Sequence, residues 1–273
     1  MSLTINTNIA SMNATRQLSK STGTLGKTFE RLSSGLRINT AKDDAAGLAI
    51  STRMTAQVRG MNMAMRNAND AISVLQIAEG ALDETTNALQ RMRELAVQSA
   101  NGTMTSSDRL SLELEVTQLL LEIERISTST KFNGKSLING AQAGGLTFQV
   151  GANVTETLVV SVGSAGGIAL SVSNTTISTA ATASAAMTQI DTALDSVSDI
   201  RANLGAYQNR FESLLANVSN VVENTTAARS RITDADIAVE TASLTKNAIM
   251  QQASTAILAQ ANQQPQIALQ LLG

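Results

Sequence analysis

Apolar residues recur every three or four positions over most of this chain, and the places where that rhythm stops divide it. From Asp43 to about Ser99 the positions Ile50, Met54, Val58, Met61, Met65, Ala68, Ile72, Leu75, Ala78, Leu82, Thr85, Leu89, Met92 and Ala96 follow at helical steps. About 55 residues rising 1.5 Å each would make a helix of roughly 80 Å. That length without an internal cap predicts a coiled-coil-like bundle rather than a globule. Asn101-Gly102 ends it, and Thr105 with Asp108 forms a capping box for a second helix carrying Leu112, Val116, Leu119, Ile123 and Ile126. The short link predicts that this helix packs back antiparallel. A third long helix carries Ile190, Leu194, Val197, Ile200, Leu204, Phe211, Leu214, Val218 and Val221. The helices are placed at 43–99, 106–129 and 185–231.

Between Lys131 and about Ala180 the rhythm changes to alternation. Phe148 and Val150, then Leu158, Val160 and Val162, flank Gly151-Ala152-Asn153 and predict a β-hairpin within a β-rich segment at 137–175. Ile168, Leu170 and Val172 read as a further strand. Ser173 to Ala186, mostly Ser, Thr and Ala, reads as a surface loop.

The two ends are helical but weakly apolar. Leu25, Phe29, Leu32 and Leu36 are spaced four, three, four near the start; Leu244, Ile257, Leu258, Leu269 and Leu272 sit among Ala and Gln at the end, where Pro265 is placed to kink the helix. Such arms need a partner to be stable in water. Each meets the rest of the chain at a joint. In RLSSGLRINTAKDDAAGLAI (Arg31 to Ile50), Ser33, Ser34 and Gly35 weaken one helix, and Thr40 with Asp43 reads as a capping box for the next. In ARSRITDADIAVE (Ala227 to Glu240), Thr233 and Asp236 read as a second box. The joints predict a chain that folds back once. Paired terminal arms, 1–42 and 234–273, would lie side by side, and 43–233 would form a rod-like body. The expected fold is mainly α: a long antiparallel helical bundle with a small β-hairpin region, elongated as a rod.

Composition narrows the chemistry. Apolar residues make up 43% but aromatics only 2%, so the core must be built from Ala, Leu, Ile, Val and Met. There is no Cys and no His, which removes thiol chemistry, disulfides and the commonest general base and metal ligand. A net charge of −2 leaves no basic footprint for nucleic acid, and no apolar run is long enough to span a membrane. The N-terminus has neither a charged leader nor an apolar h-region, so no secretory signal is read there.

No cluster reads as an active site, a cofactor site or a metal site. Asp43-Asp44 fits helix capping better than metal binding. Gly163-Ser164-Ala165-Gly166-Gly167 lacks the Lys-Ser/Thr and the helix start of a P-loop. Met54, Met61 and Met65 fit the apolar face of the long helix. Sequons beginning at Asn13, Asn101, Asn153, Asn174, Asn217 and Asn224 are chance matches in a chain rich in Asn, Ser and Thr. The run Gln90 to Leu95 reads as a solvated helix face with local ion pairs.

Three stretches together carry a resemblance: LSSGLRINTAKDDAAGLAIS (Leu32 to Ser51), LQRMRELAVQSANGT (Leu89 to Thr103) and ARSRITDADIAVE. With TINTNIASMNA at the start and ALQLLG at the end, they resemble bacterial flagellin over roughly residues 1–140 and 185–273. Only about fifty residues stand where many flagellins carry large outer domains, which implies a short form lacking them.

The resemblance implies a structural, non-enzymatic subunit of the extracellular flagellar filament that self-assembles for swimming motility. A hook–filament junction protein is the alternative. It implies arms that order on assembly as a coiled coil lining the inner tube, with Leu25, Phe29, Leu32, Leu36, Ile257, Leu258, Leu269 and Leu272 as polymerising positions. It implies export without a cleaved leader through the flagellar export apparatus, which the lack of Cys suits. The implied partners are further copies of the chain, the export apparatus, a flagellin chaperone, the filament cap and hook-associated proteins, with no nucleic acid and no membrane. A host Toll-like receptor is a further implied partner, with Arg91, Leu95 and Glu115 at the matching positions. The region from Ser161 to Ala186 is expected to face outward and to carry O-linked sugars.

Overall fold

Asn8 opens the first helix by accepting the N–H of Ser11 at 3.0 Å. In the computed structural model, which describes residues 7–142 and 144–272 and side chains as far as Gln263, this helix is α1 (Ile9–Ser34). It ends at Gly35, whose φ of 70° is left-handed and whose N–H returns to the Arg31 carbonyl. Its inward positions are Ser11, Ala14, Leu18, Ser21, Leu25, Thr28 and Leu32, at alternating steps of three and four. That heptad seam meets α5 (Ile237–Leu272), which turns Glu240, Leu244, Asn247, Gln251, Ser254, Leu258 and Ala261 toward it. The pairing is antiparallel: Asn8 Nδ2 reaches the Ala261 carbonyl at 2.7 Å, Ser21 Oγ the Asn247 carbonyl at 3.3 Å, and Arg31 meets Glu240 at 3.2 Å. Leu269 and Leu272 lie outside the described side chains.

The two joints touch. The N–H of Arg37 donates to the Thr233 carbonyl at 2.6 Å and that of Ala235 to the Gly35 carbonyl at 2.9 Å, around an antiparallel bridge between Leu36 and Asp234. The Arg37 guanidinium adds a bond to the Ile232 carbonyl at 2.7 Å.

Two of the three expected capping boxes are corrected by one position or one turn. Asp43 does accept the N–H and hydroxyl of Thr40, but in a turn that precedes the helix. The cap of α2 (Ala45–Ala100) is Asp44, which accepts from the Gly47 N–H at 2.9 Å. Likewise Thr233 is the last residue of α4 (Ala180–Thr233), its hydroxyl tied back to the Arg229 carbonyl, and Asp236 alone caps α5 through the N–H groups of Ala238 and Val239. In both cases the threonine hydroxyl is spent on the preceding turn, leaving the aspartate to reach the orphan N–H groups. The third box is as expected: Thr105 and Asp108 bond reciprocally at the start of α3 (Ser106–Ser129).

Chain contacts divide the molecule into Met1–Ala56 with Asn224–Gly273, and Gln57–Glu223. The second unit holds the main core. From α2 come Leu75, Leu82, Leu89, Met92 and Ala96, from α3 Val116 and Ile123, and from α4 Ile190, Val197, Leu204 and Phe211, all buried. Each buried Leu or Ile contributes about 1.5–3 kcal/mol. Ala68, Ala71 and Ala78 let neighbouring backbones approach where aromatic bulk is missing.

Two small antiparallel sheets belong to this unit. β3 (Leu146–Gln149) pairs with β4 (Thr157–Val160), Leu146 opposite Val160 and Gln149 opposite Thr157, matching the expected hairpin. Phe148 stands edge-on to Phe211, ring centroids 5.9 Å apart. A second hairpin, β1 (Lys131–Phe132) with β2 (Lys135–Ser136), turns on Asn133-Gly134, both at positive φ. Ile168 to Val172 is not a strand. The N–H groups of Leu170 and Val172 bond back to Gly166 and Gly167, which makes a turn that buries Leu170 and Val172 and leaves Ile168 outside. The expected loop is also shorter, because α4 starts at Ala180. Thr179 and Thr182 cap it mutually, and alanines with high helix propensity bury Ala183 and Ala186.

Candidate polymerisation and recognition surfaces

Along the seam of the paired arms buried small and polar side chains alternate with half-buried leucines, and further large apolar side chains stand outside. Along the seam the buried residues are Ala14, Ser21 and Thr28 on α1 and Ser254 and Ala261 on α5, while Leu25, Leu32, Leu36 and Leu258 are half-buried. Phe29 is 55% exposed and Ile257 58%. Ile9 and Met12 on α1, and Ile237, Val239, Ile249 and Met250 on α5, are exposed too. Met250 and Ile257 are seven residues apart, Ile249 and Ile257 eight, so one side of α5 carries these three. Near its start, Ala238, Val239, Ala242, Ser243 and Lys246 line a shallow groove. Sequence reading took Phe29 and Ile257 together with the leucines. It missed Ile249, because the Ala- and Gln-rich background hides which side faces the partner helix.

On α2 and α3, Arg91 bridges two carboxylates. Its Nε donates to Glu115 Oε1 and its Nη1 to Glu94 Oε2, both at 2.8 Å. The bond to Glu115, then that to Glu94, raises the guanidinium further above its already high ordinary value. Arg93 pairs in the same way with Asp191 on α4 at 2.6 Å, which holds that aspartate below its ordinary range. All these pairs are open to solvent, where such contacts add little to stability.

Leu95 does not join this patch. It is 1% exposed and belongs to the core with Leu89, Met92 and Ala96, so the reading of Gln90 to Leu95 as a solvated helix face is corrected at Met92 and Leu95. Four residues on from Arg91 the helix has turned 40° past a full turn, enough to swing the side chain from the charged edge into the bundle. Beside Glu115 the structure adds apolar surface that sequence reading missed: Leu110, Leu114 and Leu121 on α3 are all more than half exposed. The signal was available, since these leucines fall outside the stripe of Leu112, Val116, Leu119 and Ile123.

The candidate chemical groups resolve into structure. The glycine-rich loop at 163–167 meets a carboxylate of this chain: the Gly167 N–H donates to Glu124 Oε2 at 3.2 Å. Met61 is buried and Met54 and Met65 half-buried. Among the described residues no group of three His, Cys, Asp or Glu could hold a metal, and no helix is long and apolar enough to cross a membrane.

Comparison with known proteins converges. Residues 5–143 match the bacterial flagellin N-terminal helical region and residues 187–272 the bacterial flagellin C-terminal helical region. The chain is 48% identical to a flagellin of Halalkalibacterium halodurans and 46% identical to one of Bacillus subtilis, each over 98% of this chain and 99% of the relative. Among solved structures, a Bacillus cereus flagellin aligns with a TM-score of 0.50 and 34% identity over 60% of this chain and 94% of that one. A putative flagellar hook-associated protein from Vibrio parahaemolyticus aligns with a TM-score of 0.59 over 70% of this chain and 100% of that one, but at 16% identity it shares the fold alone.

Proposed function

This chain belongs to the bacterial flagellin family and is a structural subunit of the extracellular flagellar filament, and from that premise we propose that the outer faces of α1 and α5 are where it polymerises. The observation that carries this reading is the large apolar side chains left outside the arm pair, Phe29, Ile249 and Ile257, while Ser21, Thr28 and Ser254 occupy buried seam positions. Burying each of those outer side chains against a neighbouring subunit is worth about 1.5–3 kcal/mol, repeated at every subunit. Leu25, Leu32, Leu36 and Leu258 hold the pair together, and Leu269 and Leu272 extend the apolar positions toward the C-terminus. Residues 1–42 with 234–273 then act as the assembling arms and 43–233 as the body, short of large outer domains.

The remaining roles follow from the family. The subunit travels through the flagellar export apparatus without a cleaved leader, is guarded by a chaperone, and is placed between hook-associated proteins and the filament cap. It acts without catalysis, cofactor or metal. A host Toll-like receptor contacts the body around Arg91 and Glu115, with Leu95 supporting α2 from beneath. Deleting residues 1–35 or 240–273 tests the assembly reading: a folded, monomeric body is expected, and normal filaments from either truncation would refute it.

A further inference from the structure

We propose that Asn101-Gly102, at the link between α2 and α3, is a self-modifying site at which the chain converts its own asparagine into aspartate or isoaspartate. The reaction needs a nucleophile, an electrophile and stabilisation of the charge that develops on each. The nucleophile is the nitrogen of the Asn101-Gly102 peptide. When it loses its proton, the charge spreads onto the carbonyl oxygen of Asn101. Two donors already sit on that oxygen: Arg109 Nη2 at 3.0 Å and the Met104 N–H at 3.2 Å. A guanidinium aimed where negative charge develops lowers the cost of forming the anion.

The electrophile is the side-chain amide carbon of Asn101. Its oxygen accepts from the Thr103 N–H at 3.3 Å. That contact polarises the carbonyl on which the tetrahedral oxyanion forms. Asn101, Gly102 and Thr103 are all exposed, and no atom lies within 4 Å of where a Gly102 Cβ would be, so nothing covers the site. Arg109 is itself held: its Nε donates to the Ser99 carbonyl at 2.8 Å, and the Thr105–Asp108 box fixes the start of its helix.

The bonds balance with water as the one further reactant. Gly102 N attacks Asn101 Cγ, the Cγ–Nδ2 bond breaks, and Nδ2 leaves as ammonia with the transferred proton. Water then opens the five-membered imide at either carbonyl. One opening gives aspartate, the other isoaspartate, whose main chain is longer by a carbon. Either product places a new carboxylate beside Arg109 at the C-terminal end of α2. It accumulates with time outside the cell and so records the age of a subunit.

The same dipeptide occurs twice more, which supplies internal controls. Asn139-Gly140 also folds its side chain back, onto the Ala141 N–H at 3.0 Å, but no described group donates to the Asn139 carbonyl. Asn133-Gly134 is held at φ 47° and 78° by the β1–β2 hairpin.

The test incubates the intact chain in mildly alkaline buffer and follows each asparagine by peptide mass mapping and by isoaspartyl methyltransferase labelling. Conversion is expected fastest at Asn101. Arg109→Gln should slow it there about tenfold, the size of one lost hydrogen bond from a charged donor, and leave Asn139 unchanged. Asn101 converting no faster than Asn139 and Asn133, or at an undiminished rate in Arg109→Gln, would overturn the proposal. Should that variant loosen the link, the comparison passes to Arg109→Lys. This variant keeps the charge, and a rate at Asn101 no higher in it than in Arg109→Gln would equally overturn the proposal.

Discussion

The main-chain N–H of Arg37 donates to the carbonyl of Thr233 at 2.6 Å, and the chain between them is most of the protein. A contact so distant in sequence carries a closure cost that grows only slowly with loop length, and the paired helices beside it share that cost. Gly35 makes the geometry possible, since its φ of 70° turns the chain out of α1 and presents its carbonyl to Ala235.

Gly35→Ala should therefore destabilise the arm pair by about 1–2 kcal/mol. Because no atom lies within 4 Å of the added Cβ, the cost is conformational alone. Gly35→Asn, which tolerates the left-handed region better, should cost less. Chemical denaturation of the three chains, followed by circular dichroism, orders them; equal midpoints would contradict this account.

Acid should loosen the same joint. Asp43 is held below its ordinary value of 3.8 by the Thr40 N–H, then by the Thr40 hydroxyl. Asp234 is held below it by the hydroxyls of Ser230 and then Thr233. A depressed native pKa means that each ionised carboxylate stabilises the fold above its unfolded value, and that this contribution is lost as pH falls through the native one. Protection of the Thr40 and Arg37 amides, relative to their intrinsic exchange rates, should stay flat down to about pH 4 and fall below it. Asp43→Asn should remove the step at Thr40.

Leu95→Ala and Arg91→Ala separate packing from recognition. The first removes a fully buried core side chain and should cost about 2–5 kcal/mol. The second opens solvent-exposed ion pairs and should leave stability nearly unchanged. If Arg91 and Glu115 are receptor contacts, Arg91→Ala lowers signalling by folded monomer while its melting curve stays in place. Full signalling by Arg91→Ala would remove the receptor from the set of partners.

Ile249→Asp and Ile257→Asp put charge on the outward side of α5 without touching the seam. Helicity of the monomer should be unchanged, and seeded growth, read by light scattering and negative-stain microscopy, should fail. Parent-like filaments from both variants would place the interface elsewhere.

The Ser/Thr-rich stretch now begins from a different outline, because only residues up to Thr179 lie outside α4. Ser161, Ser171, Ser173 and Thr176 are exposed and open to O-linked sugars. The intact mass of filament-derived protein should exceed that of the bare chain; agreement with the bare mass would strike out the sugars.

The sequence made the long helices and the main hairpin legible because each repeats a strong pattern many times: Ile190, Val197, Leu204 and Phe211 recur at sevens, and every one is buried. The arms were harder to read. Large side chains drew attention to Leu25, Phe29 and Leu32, but the seam is completed by Ser21 and Thr28, which no hydrophobicity pattern marks, and so Phe29 fell on the wrong side. The capping boxes failed for a related reason. Thr40 and Thr233 have two possible partners each, and residue spacing alone does not choose between them. Leu95 shows the limit of spacing arguments, since neighbours four apart diverge by enough to place one in water and the other in the core. The Asn133-Gly134 hairpin was legible in principle, but it has only two residues on each side and thus no alternation to detect.

The seam between α1 and α5 has a consequence for how growth is timed. Its leucines alternate with alanine, serine and threonine, so closing the pair buries less apolar surface than an all-leucine seam would. If the outer faces of α1 and α5 meet neighbouring subunits, two stray subunits would offer each other only part of that surface, whereas a growing tip would offer all of it. Such a system has a high barrier to starting and a low one to continuing. A supersaturated solution of subunits can persist without spontaneous fibres, while each arrival at an existing end is captured.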